Sequence, residues 1–263
     1  MEQEDIQEQN NKFLQPGQDE HGTVYRDIND MWEKEIENKN NKNVQKPIGG
    51  LQNWYGKAAQ YWENVESTVN GVLGGFDQLN EPDVKHSNKF LQELKQKLQY
   101  NNTRAIDMGA GIGRITKELL TKHFQTVDIV DQCKKYVDEA KNNYLKGFNI
   151  GHFIAQGLQE VDMPEKYDCI WVQWVSHHLT DTDFVTFLNK CKNSLNPNGF
   201  IVIKENHTKS GFLVDKEDYS VTRCEALYKE IFDKAGLQVV HESVQTDFPK
   251  ELFMVKAYAL IPK

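Results

Sequence analysis

The chain has 263 residues, 31 of them Lys or Arg and 39 Asp or Glu, for a formal net charge of -8. This length suits one large α/β domain with appendages, and the acidic balance argues against nucleic-acid binding by phosphate neutralisation; a cationic partner such as a Lys/Arg-rich peptide fits it, as does an ordinary solvated surface. Cys133, Cys169, Cys191 and Cys224 lack Cys-x-x-Cys or zinc-site spacing, and there is no basic-then-apolar leader or run of about 18 apolar residues, so the expectation is a soluble cytoplasmic or nuclear protein with no metal, disulfide framework or membrane partner.

Residues 1–50 are rich in Gln, Asn, Glu and Asp and read as a mostly disordered arm, because so few apolar side chains cannot offset the entropy of ordering. Within it, 24–38 suits a short amphipathic helix, with Met31 and Trp32 as docking residues for a protein partner. Residues 51–100 read as a helical cap and 101–263 as the core. Trp54, Ala58, Tyr61 and Trp62 recur at helical spacing as one buried stripe. The stripe suits a helix packed on the core or a roof over a ligand. Gly71-Val-Leu-Gly-Gly75 then breaks the helix and suits a pocket lining or lid hinge. Phe90, Leu91, Leu94 and Leu98 mark the next helix, over 87–98.

The run Ala105-Ile-Asp-Met-Gly-Ala-Gly-Ile-Gly-Arg-Ile115 reads as strand, glycine turn and helix start, with backbone amides aimed at a ligand. A dinucleotide fingerprint needs glycine at the sixth position from Gly109, and Arg114 stands there. A forked guanidinium favours a carboxylate, as in S-adenosylmethionine, over a pyrophosphate; a turn that binds nothing is the plainer alternative. A strand over 126–130 ends at Asp131, about 22 positions beyond Gly109, close to the spacing for a ribose-binding acid. Asp131 also suits capping the helix that starts near Cys133, and the two uses are compatible.

Further helices are expected over 112–122, 134–145 and 182–195, and strands over 151–154, 167–174 and 200–204. Asp215, Glu217 and Asp218 fall in a loop before a helix starting near Ser220, and strands over 237–244 and 251–260 close the sheet as an antiparallel hairpin. This alternation predicts a seven-stranded, Rossmann-like, doubly wound α/β domain. Ligands of such sheets lie beyond the strand carboxyl ends, where Trp174 and His178 fall. An isolated histidine is more often structural; its place behind Trp174 favours His178 for chemistry and leaves His177 as structural. If the acceptor is an amine, which arrives protonated near neutral pH, His178 and Asp218 could converge on it.

Trp62, Gly71-Val-Leu-Gly-Gly75, Gly109-Ala-Gly-Ile-Gly-Arg114, Asp131, Gly157-Leu-Gln159, Trp171-Val-Gln-Trp174, His178-Leu-Thr-Asp181, Pro197-Asn-Gly199 and Lys204-Glu-Asn206 together resemble the eukaryotic protein N-terminal methyltransferases, from about residue 61 to the C-terminus. The resemblance implies a class I S-adenosylmethionine-dependent methyltransferase acting on the α-amine of proteins that begin X-Pro-Lys or X-Pro-Arg after Met removal. It implies cofactor contacts at Gly109, Gly111, Arg114, Asp131, Gln132, Leu158, Gln159 and Gln173. Trp62, Trp174, Asn206, Asp215, Asp218 and Ser220 would hold the peptide, and His178 and Asp218 would deprotonate and orient the amine. Departures are Met108, tolerated before the first glycine; His207, Lys209 and Tyr219, which alter the substrate loop; and Phe253 in place of a tyrosine near the peptide. Competing readings are a catalytically silent structural subunit, against which the joint presence of Arg114, Asp131, His178 and Asp218 argues, and a small-amine methyltransferase.

Overall fold

In the computed structural model, residues 15–37 and 50–263 are described, and their strands join one sheet. The strands are β1 (Gly17–Asp19), β2 (Val24–Tyr25), β3 (Arg104–Met108), β4 (Thr126–Asp131), β5 (Ile150–Ala155), β6 (Tyr167–Gln173), β7 (Leu195–Thr208), β8 (Phe212–Asp215), β9 (Ser220–Cys224), β10 (Leu237–Val244) and β11 (Met254–Pro262). The main helices are α1 (Ile28–Trp32), α2 (Gly50–Asn64), α3 (Val69–Val72), α4 (Asn80–Lys97), α5 (Thr121–His123), α6 (Lys134–Glu139), α7 (Asp181–Asn193) and α8 (Glu225–Lys234).

Seven strands, ordered β5-β4-β3-β6-β7-β11-β10, make the expected doubly wound core, with β3 to β7 parallel and β10 and β11 as the antiparallel closing hairpin. All seven residues of β6 are buried, as a central parallel strand covered on both faces requires. On one face α7 inserts Phe184, Phe187, Leu188 and Cys191 among Ile170, Val172 and Ile203. Each large apolar side chain so buried contributes about 1.5–3 kcal/mol. Thr180 caps α7 by accepting the Asp183 amide at 3.1 Å. On the other face α4 places Phe90, Leu91 and Leu94 against Ala105, Cys169 and Val202.

The other four strands extend the sheet beyond β7 and correct two expectations. Residues 15–37 are ordered rather than disordered: β1 pairs in parallel with β8 and antiparallel with β2. Tyr25, Ile28 and Met31 close a cluster with Trp54, Phe212, Val214 and Val221. Too few to fold alone, these arm residues complete an apolar surface that the rest of the chain already presents. Met31 is fully buried there and so serves this fold, and Trp32, partly buried, meets Trp54 edge-on at 5.0 Å. The remainder of the expected arm, 1–14 and 38–49, lies outside the described residues. No helix begins at Ser220: 220–224 is β9, paired with β8 in a hairpin, and α8 starts at Glu225.

Candidate active site

The strand order reverses between β3 and β6, and a cleft opens at their carboxyl ends under α2, the place where ligands of such sheets lie. Gly109, Gly111, Arg114, Asp131, Gln132, Leu158, Gln159 and Gln173 all line it, together with Trp62, Trp174 and His178. Tyr55 and Ala58 of α2 and Val72 of the glycine loop complete the roof, so α2 both packs on the core and covers the cleft.

The three glycines of the turn all have positive φ, at 72°, 56° and 88°. They serve different ends. A Cβ on Gly113 would lie 2.5 Å from Leu145 and one on Gly109 would lie 2.5 Å from Val175, so these two admit neighbouring side chains. Gly111, whose nearest obstacle is Val72 at 3.2 Å, leaves the backbone bare toward the cleft. Asp131 accepts the Gly111 amide on one oxygen and the Cys133 amide on the other, each at 2.8 Å. Burial raises its pKa to about 6.

Arg114 is held through Nη1 by Asp83 at 2.7 Å and Asn80 at 3.0 Å, and its guanidinium carbon lies 5.5 Å from the Trp174 ring centroid. The fork therefore reaches the cleft from a buried carboxylate. Asp83 also binds Lys204 Nζ at 2.5 Å and accepts both 2.9 Å contacts of the Gln173 amide. Gln173, expected to contact the cofactor, thus spends its amide nitrogen inside the protein. Sequence reasoning missed Asp83, the buried Asp107 that lines the cleft and accepts from Thr116, and Tyr55. Only their proximity to motif residues in space identifies them.

His178 sits where β6 gives way to α7, on a single 3-10 turn, Ser176–His178. Its Nδ1 lies 3.1 Å from the Tyr219 carbonyl, which only accepts, so Nδ1 carries the proton. The indole N–H of Trp62, which only donates, reaches Nε2 at 2.9 Å. A neutral ring with its lone pair on Nε2 satisfies both contacts. Burial, reinforced by neighbouring His177, holds its pKa down at about 4. His177 is the reverse case: burial opposes its charge, but Glu205, 2.9 Å from Nδ1, outweighs that and raises the pKa.

Asp218 sits at the β8–β9 hairpin tip, its Oδ1 buried without a hydrogen-bond partner, and its carboxylate and the nitrogens of His177 and His178 lie within 4.8 Å of one another. Asp215, at the end of β8, pairs with Ser220 of β9 and accepts the Glu217 amide at 2.8 Å. Asn206 lies on β7 opposite Val255. Asn206, Asp215, Asp218 and Ser220 stand outside the cleft wall, and Asp218 adjoins it beside His178. Trp174 is held at a φ of 52° with its indole N–H buried and unpaired. Positive φ is uncommon for a bulky non-glycine side chain. Tyr219 takes the same conformation and its carbonyl fixes His178. His207 is no part of a substrate loop: it is 2% exposed, packed between Tyr228 and Tyr258. Phe253 is exposed.

Among the described residues, no helix is long and apolar enough to cross a membrane. The family model described as AdoMet dependent proline di-methyltransferase matches residues 51–261. The alpha N-terminal protein methyltransferase 1 of Dictyostelium discoideum is 45% identical, over 98% of this chain and 97% of its own. That alignment spans nearly the whole chain, residues 15–37 included. The N-terminal Xaa-Pro-Lys N-methyltransferase 1-B of Xenopus laevis is 44% identical over 79% of this chain and 95% of its own. A solved SAM-dependent methyltransferase from Leishmania major superposes with a TM-score of 0.86 at 41% identity, covering 94% of this chain and 96% of that one.

Proposed function

The chain belongs to the AdoMet dependent proline di-methyltransferase family, and on that premise we propose that it methylates the α-amine of proteins beginning Xaa-Pro-Lys or Xaa-Pro-Arg once the initiator Met is removed. It is an enzyme, an N-terminal protein methyltransferase that uses S-adenosylmethionine. When bound, that cofactor supplies a methyl group already activated on a sulfonium. The cleft fits it: the bare backbone at Gly111 and the half-buried Asp131 carboxylate suit a ribose, and the Arg114 fork suits an amino-acid carboxylate. Leu158 and Gln159 bound the cleft after β5, and Gln132 follows Asp131 along it.

The protein's task is to align a neutral amine and exclude water. We assign the first approach of the ammonium to Asp218, whose buried, unpaired oxygen beside a neutral histidine is the observation that carries this reading. At neutral pH a ring held near pKa 4 accepts a hydrogen bond without storing the proton. The ammonium gives its proton to solvent by way of the Asp218 carboxylate, and His178 Nε2 then orients the neutral amine, whose N–H replaces that of Trp62. The Trp174 ring provides a flat wall for the second-position proline, and its free indole N–H a donor to the peptide backbone. Asn206 and Ser220 flank that path. Asp215, with Glu217 and Asp218, faces the basic third residue. Their local competitor, Lys216, is already occupied by Asp19 at 2.9 Å and Glu35 at 3.1 Å.

Steady-state kinetics on Ser-Pro-Lys, Ser-Pro-Glu and Ser-Ala-Lys peptides tests the assignment. Loss of the cation or the proline should lower kcat/KM at least about tenfold, equivalent to roughly 1.4 kcal/mol. Equal values for the three would contradict it.

A further inference from the structure

The two adjacent histidines form a pair with a property the methyl transfer does not require. Their Nε2 atoms face each other at 3.2 Å. Each ring is fixed from behind through Nδ1: His177 donates to the Glu205 carboxylate at 2.9 Å, and His178 to the Tyr219 carbonyl at 3.1 Å. Glu205 is itself locked, its other oxygen accepting the Val175 and Ser176 amides and the Ser176 hydroxyl. Carboxylate-to-histidine and carbonyl-to-histidine contacts of this kind are what orient imidazoles for metal binding. A third donor is at hand in Asp218, whose Oδ1 is buried with no hydrogen-bond partner and whose carboxylate lies within 4.8 Å of both rings.

We propose that His177 Nε2, His178 Nε2 and the Asp218 carboxylate form a binding site for a divalent transition ion of the zinc type, and that the ion inhibits the enzyme by occupying the seat of the substrate amine. A tetrahedral zinc ion with bonds of about 2.0 Å holds neighbouring donors about 3.3 Å apart, close to the spacing of the two nitrogens, and two nitrogens with one oxygen suit its chemistry. A rotation of Asp218 at the hairpin tip closes the third bond and leaves the fourth position to water. Binding costs two existing contacts: the Trp62 indole N–H leaves His178 Nε2, and the ion replaces any proton on His177 Nε2, which passes to solvent. The donor set stands on geometry alone; only the inhibition rests on the amine seat assigned above.

Calorimetry of the full chain, freed of metal by chelator and titrated with zinc chloride, tests the site without reference to catalysis. One equivalent should bind with a micromolar or lower Kd, and cobalt(II) in its place should develop the visible absorption of a tetrahedral ion. His177→Gln and Asp218→Asn should each weaken zinc binding at least tenfold, whereas Trp62→Phe, which removes the competing donor, should tighten it. Two variants on different elements separate a lost ligand from a misfolded chain, with circular dichroism confirming the fold. Absence of binding, or wild-type affinity in both ligand variants, would overturn the site. Zinc bound at this site with peptide methylation unimpaired would overturn the inhibition while leaving the site intact.

Discussion

At Asp131 two backbone amides, from Gly111 and Cys133, share one half-buried carboxylate, so the glycine turn and the entry to α6 are tied to a single side chain. The place of Asp131 at a strand end ahead of a helix was readable from spacing, because strand end and helix start are local in sequence; its bond to the Gly111 amide, 20 positions away, was not. Nor was the raised pKa, since it comes from burial. Its consequence has a definite sign. The ionised form accepts hydroxyl hydrogen bonds, and it is lost as pH falls through about 6 rather than through the ordinary aspartate range. Cofactor affinity should therefore decline below pH 6, approaching about tenfold per pH unit, a limit set by one linked proton. Asp131→Asn should bind more weakly at pH 8 and lose that dependence. Calorimetry at pH 5, 6 and 8 measures it, and a wild-type profile that is flat down to pH 5 would count against the ribose assignment. Asp83 shows the opposite case: its carboxylate meets Lys204, 121 positions away, and no local pattern signals such a contact.

Among the elements, the β8–β9 hairpin is the one the sequence misrepresents. Its strands have four and five residues, too short for alternation to stand out, and the second runs directly into α8. The arm that braces it was obscured in the same way, by a polar composition whose few apolar residues gain their burial from Phe212 and Trp54. Lys216 ties the two together through Asp19 and Glu35, with the Glu20 carboxylate accepting its amide at 3.0 Å. The Lys216 side chain is partly exposed but Asp19 is buried, so its removal strands that carboxylate and should cost on the order of 1–3 kcal/mol. Lys216→Ala should also loosen the tip, raising the peptide KM several-fold while leaving cofactor affinity unchanged. An unaltered KM would show that the hairpin holds its position without the arm's ion pairs. By contrast, α7, α4 and the β3–β7 run were legible because their apolar periodicity spans full elements.

Across the molecule, the Asp83 network joins α4 to the central strands and to the closing hairpin. Lys204 Nζ, fully buried, contacts Asp83, Ser87 and Gln245, while Asp83 reaches Arg114 and Gln173. Burial works against the charge on Asp83, but Lys204 and Arg114 outweigh it and hold the carboxyl below its usual range. Removing one partner of such a pair strands the other in low dielectric, at a cost of about 3–5 kcal/mol. Asp83→Asn should lower the unfolding free energy by that amount in urea denaturation and weaken cofactor binding by freeing Arg114. A change below about 1 kcal/mol would mean that the surrounding polar groups carry Lys204 without the carboxylate.

The central claim is that the acceptor is an α-amine brought to His178 and Asp218. Intact-mass spectrometry of Ala-Pro-Lys and Ser-Pro-Lys peptides, incubated with the purified protein and S-adenosylmethionine beside N-acetylated controls, tests it most directly. Mass gains in steps of one methyl on the free peptides and none on the acetylated ones are the predicted result. Gains that survive acetylation, or no gain in a preparation shown to bind the cofactor, would contradict it.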